Sequence, residues 1–308
     1  MNLEQLRAFV TVAQLGNFTR AAEQLHLAQP SLSRQISTLE QSLGAELFHR
    51  ARAGSTLTVA GESLLPLARR MLADAASVRR ELDELAGLRR GRVRLGATPT
   101  LCISLVAEVL SVFHAAHPGI ELHITERGSR GLLDDLAGGE LDLALITTSD
   151  AASADRFTVA PLLVEELVVI SSSSAPPLTS RQSIALGDVA ALPQVVFSST
   201  YDLRTTTDAA FRNADLTPDV VLEGAEMDAV LRFVERGIGV AIVPAMVPIE
   251  RSGLRSVRLS HPTLTRTISI ARVTDMSPTS AVEVMQQTIA RTAAALAAGP
   301  QATMRLAG

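Results

Sequence analysis

The chain has 308 residues, enough for roughly two domains, and 47 % of them are apolar, which supplies packed cores and excludes a disordered chain. The net charge of −4 argues against nucleic acid only as an average. Residues 1–92 carry 12 arginines against 9 acidic residues, residues 93–308 carry 16 against 23, so a mildly basic front precedes an acidic body. All 28 basic residues are arginine, so every phosphate contact must come from arginine, polar side chains or backbone.

Cys102 is the sole cysteine, which excludes an intrachain disulfide and a two-cysteine redox switch. It reads either as a small core residue or as a lone thiol sensor. No signal segment opens the chain and no apolar run approaches the ~20 residues of a membrane span, so the expectation is a cytoplasmic protein with no membrane partner. His114-x-x-His117 lacks a third ligand, and no Gly-x-Ser-x-Gly elbow or phosphate loop occurs. Neither catalysis nor a metal or other cofactor is expected.

Leu3, Leu6, Phe9, Val10 and Ala13 give a first helix its apolar face. Asn17 is placed to cap a second, and Ala21-Ala22 permits close helix approach. Pro30 suits the first position of a third helix, with Gln29 as its cap. There Leu32, Ile36, Leu39 and Leu43 recur at spacings of 4, 3 and 4, which predicts one buried stripe. Gln29, Ser31, Ser33, Arg34 and Gln35 fall largely off that stripe near the helix start, with the lengths needed to reach base edges and phosphates. The pattern is a helix-turn-helix that enters the major groove of double-stranded DNA with its first turn. After Gly44, the run Leu47-Phe48, Arg50, Arg52, Gly54 and Leu57-Thr58 predicts a short β-wing. Its arginines reach phosphate or a minor groove, or else form a solvated loop.

From Glu62 to Leu88, Leu64, Ala68, Met71, Ala75, Val78, Leu82 and Leu85 alternate spacings of 4 and 3. That is a coiled-coil seam, or a helix packed on its own domain. Arg89-Arg90-Gly91-Arg92 ends it as a hinge. Beyond it, strand candidates at 92–97, 120–125, 141–146, 166–171, 194–198, 219–223, 239–243 and 267–273 alternate with helices near 101–116, 130–138, 202–213, 226–236 and 279–298. The alternation predicts parallel sheets in two open α/β lobes, with the chain crossing near 161–164 and 263–267. A ligand cleft then lies at strand ends and helix N-termini. Three turns converge on it: Thr98-Pro99-Thr100, Glu126-Arg127-Gly128-Ser129 and Ser198-Ser199-Thr200-Tyr201. Each reads singly as a helix cap and jointly as a site for a small organic anion.

Residues 1–61 resemble the winged helix-turn-helix of LysR-type transcriptional regulators. The likeness rests on Phe18-Thr19-Arg20-Ala21-Ala22-Glu23, Gln29-Pro30-Ser31-Leu32-Ser33-Arg34-Gln35-Ile36, Leu39-Glu40, Leu43-Gly44, Leu47-Phe48-His49-Arg50 and Leu57-Thr58-Val59-Ala60-Gly61. Residues after 92 are similar, more diffusely, to the family's periplasmic-binding-protein-like effector domain. The resemblance implies base contacts at Gln29, Pro30, Ser33 and Arg34 and wing contacts at Arg50 and Arg52. It implies an effector pocket at Thr100, Ser129 and the 198–201 turn, and a cleft wall at Gly237-Ile238-Gly239-Val240-Ala241 with Val243-Pro244. Thr56 and Ala28 depart from the family pattern, where a basic residue and a serine are common.

The resemblance further implies pairing through the linker helix into a homodimer or homotetramer, and RNA polymerase as a partner. The expected architecture is a winged helix-turn-helix at 1–61, a linker helix and hinge at 62–91, and a two-lobed α/β effector domain at 92–308. Lobe I covers about 92–162 and 267–298, and lobe II about 163–266. A DNA-binding regulator without a ligand is the alternative; a solute-binding protein would have no use for the head.

Overall fold

Asn2 opens α1 (Leu3–Leu15) with a reciprocal cap, in which Asn2 Oδ1 accepts from Gln5 N and Gln5 Oε1 from Asn2 N, both at 2.9 Å. This geometry belongs to a computed structural model, which describes residues 1–51, 54–85, 91–147, 156–199, 201–224, 226–249, 251–274, 276–299 and 303–307. Residues 1–91 with 134–142 form one unit, and residues 92–133 with 143–308 the other.

In the first unit Asn17 caps α2 (Phe18–Gln24), accepting from Thr19 N and Arg20 N. The third helix, α3 (Gln29–Leu43), is capped by Ala28 instead of Gln29. Alanine has no acceptor to offer, and Gln29, already helical, donates from Nε2 to Ser33 Oγ at 3.2 Å. Leu32, Ile36 and Leu39 are fully buried beside Leu6, Phe9, Ala21 and Phe48. Leu43 is 41 % exposed and leaves the expected stripe, because Gly44 (φ 68°) turns the chain away at that last turn.

β1 (Phe48–Ala51) and β2 (Gly54–Leu57) pair antiparallel as the expected wing. The Arg50 side chain and Arg52 lie outside the described residues. α4 (Val59–Leu85) starts three residues earlier than expected, Thr58 Oγ1 accepting from Gly61 N at 3.1 Å, and runs past Pro66. Its seam divides. Leu64 and Ala68 pack into the first core, while Met71 (40 %) and Val78 (56 %) are exposed. The side chains of Leu82 and Leu85, and hinge residues 86–90, lie outside the described residues.

In the second unit β3 (Arg92–Ala97) runs parallel to β4 (Glu121–Glu126) and β5 (Leu143–Thr147). The sheet is then mixed, contrary to the parallel expectation. β6 (Phe157–Ser172) leaves the first lobe and β12 (Thr265–Val273) returns to it, and an outbound strand beside a return strand must be antiparallel. The crossover is also no loop: β6 is unbroken over 16 residues. Its first part pairs with β12, and its last six residues pair with β10 (Ala241–Pro244) and β11 (Leu254–Ser260). β7 (Ser183–Ala185), α8 (Leu186–Ala190) and β11 were not anticipated. The first two are short, and Arg255 and Arg258 break the apolar signal of β11. In the tail, β13 (Met304–Leu306) pairs with β6.

Each lobe has its own core. Leu101, Leu105, Val109 and Phe113 meet Met285 and Ile289 of α11 (Ser280–Ala297) in the first. Phe197, Phe211, Val230 and Leu231 lie in the second, beside β8 (Pro193–Phe197), α9 (Asp202–Asn213), β9 (Asp219–Gly224) and α10 (Met227–Glu235). α5 (Pro99–Leu101), a π-helical turn (Cys102–Val106) and α6 (Ala107–Ala116) join into one helix. By length and composition alone it could cross a membrane, which the sequence reading did not credit. Its fully buried residues belong to the first lobe's core, the ordinary role of such a helix.

Gly239 does not line the cleft. A Cβ there would stand 2.4 Å from Pro193 O, where Val240 N donates to Pro193 O and Val195 N to Val240 O, each at 2.8 Å. The glycine permits two backbones to meet. Gly239→Ala should cost about 1–3 kcal/mol by overpacking, read as a lowered thermal midpoint. An unchanged midpoint would mean that the two segments separate freely.

Candidate functional site

The ends of β3, β4 and β5, the return strand β12 and the N-termini of α9 and α10 enclose a cavity of about 380 Å³ within the second unit. Thr98 and Thr100 are buried at its floor, beside Pro99 in the first helical turn. Arg266 on β12 reaches them from behind, Nη1 donating to Thr100 Oγ1 at 2.6 Å. Its Nε donates to Glu165 Oε2 at 2.9 Å, and Nη2 lies 2.8 Å from the same oxygen at an angle that makes an ion pair but no hydrogen bond. Glu165 is fully buried and accepts from Met246 N at 2.7 Å. The guanidinium charge is thus matched within the wall. Thr100 Oγ1 also lies 3.5 Å from Thr98 Oγ1, a contact in which either hydroxyl can donate.

The lobes meet through Asp202, the first residue of α9. Its Oδ2 accepts from Ser129 Oγ at 2.7 Å, Ser129 N at 3.2 Å and Thr147 Oγ1 at 3.3 Å. Ser129 opens α7 (Ser129–Ala137), so a carboxylate of the second lobe occupies a helix N-terminus of the first. On the facing wall Tyr201 donates to Glu226 Oε2 at 2.8 Å and stacks on Phe197 at 5.5 Å between centroids. Burial, and then Glu226, hold the phenol well above its usual range, so it remains a donor. Burial, and then Glu126, push the Cys102 thiol up to about 12. That disfavours the thiolate a redox sensor needs, and the bland reading of Cys102 stands.

Of the expected effector residues, Thr98, Pro99, Thr100 and Tyr201 line the cavity. Ser129 stands beside it with its hydroxyl engaged by Asp202, Ser199 is not part of the lining, and Thr200 lies outside the described residues. Sequence reasoning missed Thr147, Asp202, Glu226 and Arg266. The two acids follow strand-to-helix turns and were findable as residues at helix starts. Arg266, 166 positions from Thr100, carries no local signal. In the head, Gln29, Pro30, Ser31 and Arg34 are exposed and Ser33 and Gln35 half-buried, all in the first two turns of α3.

Residues 3–62 match the family described as "Bacterial regulatory helix-turn-helix protein, lysR family", and residues 86–294 match "LysR substrate binding domain". The uncharacterized HTH-type transcriptional regulator YybE of Bacillus subtilis is 32 % identical over 88 % of this chain and 92 % of its own. A probable nitrogen assimilation transcriptional activator of Synechococcus elongatus is 32 % identical over 88 % of each. Among solved structures, a full-length OxyR variant from Pseudomonas aeruginosa superposes with a TM-score of 0.72 at 26 % identity, covering 94 % of both chains.

Proposed function

The chain belongs to the LysR family of bacterial transcriptional regulators, and from that premise we propose that α3 reads an operator while the cleft binds a small carboxylate-bearing effector. The observation carrying the effector half is the Thr98–Thr100 turn. Two buried hydroxyls stand at a cavity floor, with Arg266 donating to that of Thr100. The organisation follows: a head over 1–61, a linker at 62–91 and an effector domain at 92–308. Exposed Met71 and Val78 on α4 are the surface for a second copy of the chain, giving a homodimer or a tetramer of two dimers. A dimer presents two recognition helices to a near-palindromic site and works beside RNA polymerase in the cytoplasm.

Regulation needs two lobe arrangements with different effector affinity. A ratio of 10 to 100 corresponds to about 1.4–2.7 kcal/mol, within reach of the Asp202 contacts. A footprint on the DNA upstream of the chain's own gene tests the head. Ser33→Ala or Arg34→Ala should weaken specific binding by about 1–3 kcal/mol with the oligomer unchanged by light scattering. Loss of the oligomer with unaltered DNA affinity would make α3 a packing helix. A small molecule that binds the cleft raises the melting temperature; no rise across a metabolite panel would favour a regulator without a ligand.

A further inference from the structure

The acidic side of the cleft says more about the ligand than its hydroxyls do. Glu126 ends β4, Asp202 begins α9 and Glu226 precedes α10, and all three line the cavity. Against them stand two arginines, Arg127 and Arg266, and the second is neutralised by the fully buried Glu165 behind it. The cavity wall therefore holds more negative than positive charge. An effector with only a carboxylate would meet attraction at the Thr98–Thr100 floor and repulsion from the opposite wall.

Glu226 is not there to cap its helix. Glu226 occupies the N-cap of α10, yet its side chain makes no cap hydrogen bond and turns to the Tyr201 hydroxyl. That bond uses Oε2. Glu126 lines the same cavity as the Tyr201–Glu226 pair, so two carboxylates and a phenol face one space. Asp202 already serves Ser129 and Thr147, so Glu126 and Glu226 are the carboxylates facing the ligand.

We propose that the effector is a zwitterion, a small amino carboxylate whose carboxylate sits at Thr98–Thr100 and whose ammonium sits between Glu126 and Glu226. Three N–H donors of an ammonium suit two carboxylates and the phenol oxygen of Tyr201. A cavity of about 380 Å³ is within the range of small-molecule sites, so both ends fit in one ligand. This inference rests on the reading of the cleft as the effector site and adds the charge of its occupant.

The test uses the full-length chain and three matched series: the protein amino acids with ω-amino acids of three to six carbons, their hydroxy acid counterparts, and the corresponding amines without a carboxylate. Thermal shift finds binders and calorimetry measures them. At least one amino carboxylate should bind about tenfold or more tightly than its hydroxy acid. Glu126→Gln and Glu226→Gln should each reduce that preference, with the double variant favouring the hydroxy acid. Circular dichroism controls for folding, since both acids are exposed and neither anchors a core. Hydroxy acids binding as tightly as amino acids would overturn the zwitterion and leave the cleft reading intact. Amines binding as well as amino acids would remove the carboxylate end and with it both statements. No binding in any series would overturn both the zwitterion and the reading of the cleft as a site for small carboxylates.

Discussion

Arg266→Ala is expected to destabilise the second unit by about 3–5 kcal/mol, because it strands a buried carboxylate without its counter-ion. Glu165 is 0 % exposed and the Arg266 side chain 10 %. What remains to Glu165 after the substitution is one backbone donor, Met246 N. For a unit of this size the loss corresponds to a melting temperature lower by roughly 6–20 °C. Glu165→Gln is the informative contrast, since a neutral amide still accepts from Met246 N while removing the charge. Alone it leaves Arg266 the unpaired partner; combined with Arg266→Met, which fills most of the volume, it should recover much of the loss. A single-variant loss below about 1 kcal/mol would mean that water reaches Glu165. The pair also orients Thr100, so Arg266 variants that remain folded should bind effector more weakly.

The head was legible because local rules govern it. Its helices are set by caps and by the 4-3 spacing of Leu32, Ile36 and Leu39, all within a few residues. Misplacements came at ends: the Ala28 cap and exposed Leu43 depend on where the chain turns next. The body was legible as alternation and blurred as topology. Nothing near residues 161–164 says that β6 continues straight from one lobe to the other, because pairing with β12 on one side and β10 on the other is decided by distant segments. The site divides the same way. Thr98, Thr100 and Tyr201 announce themselves by following strands, whereas Arg266 and Glu165 meet only in the folded chain. Gly239 shows the converse error, a glycine read as cleft wall that serves a close backbone approach.

Asp202→Ala should loosen the lobes and open the α7 N-terminus to ligands. One carboxylate oxygen makes three of the contacts that join the lobes across the cleft, to Ser129 N, Ser129 Oγ and Thr147 Oγ1. Removing it does not orphan Ser129, whose hydroxyl also approaches Thr147 O at 3.3 Å and accepts from Thr147 N at 3.1 Å. The cost is therefore lost inter-lobe attraction, roughly 2–3 kcal/mol for charge-assisted bonds at a partly exposed site. Asp202→Asn keeps the volume and one acceptor and should lose about half as much. Small-angle scattering of the alanine variant should show a larger radius, and its melting temperature should fall by roughly 4–12 °C. Binding should move the other way for plain carboxylates, since the variant frees a helix N-terminus and removes one negative charge from the cleft. An alanine variant with unchanged scattering and melting temperature would show that the β6 and β12 crossovers alone hold the lobes together. Unchanged carboxylate affinity would mean that Asp202 holds the lobes without occupying a ligand's place.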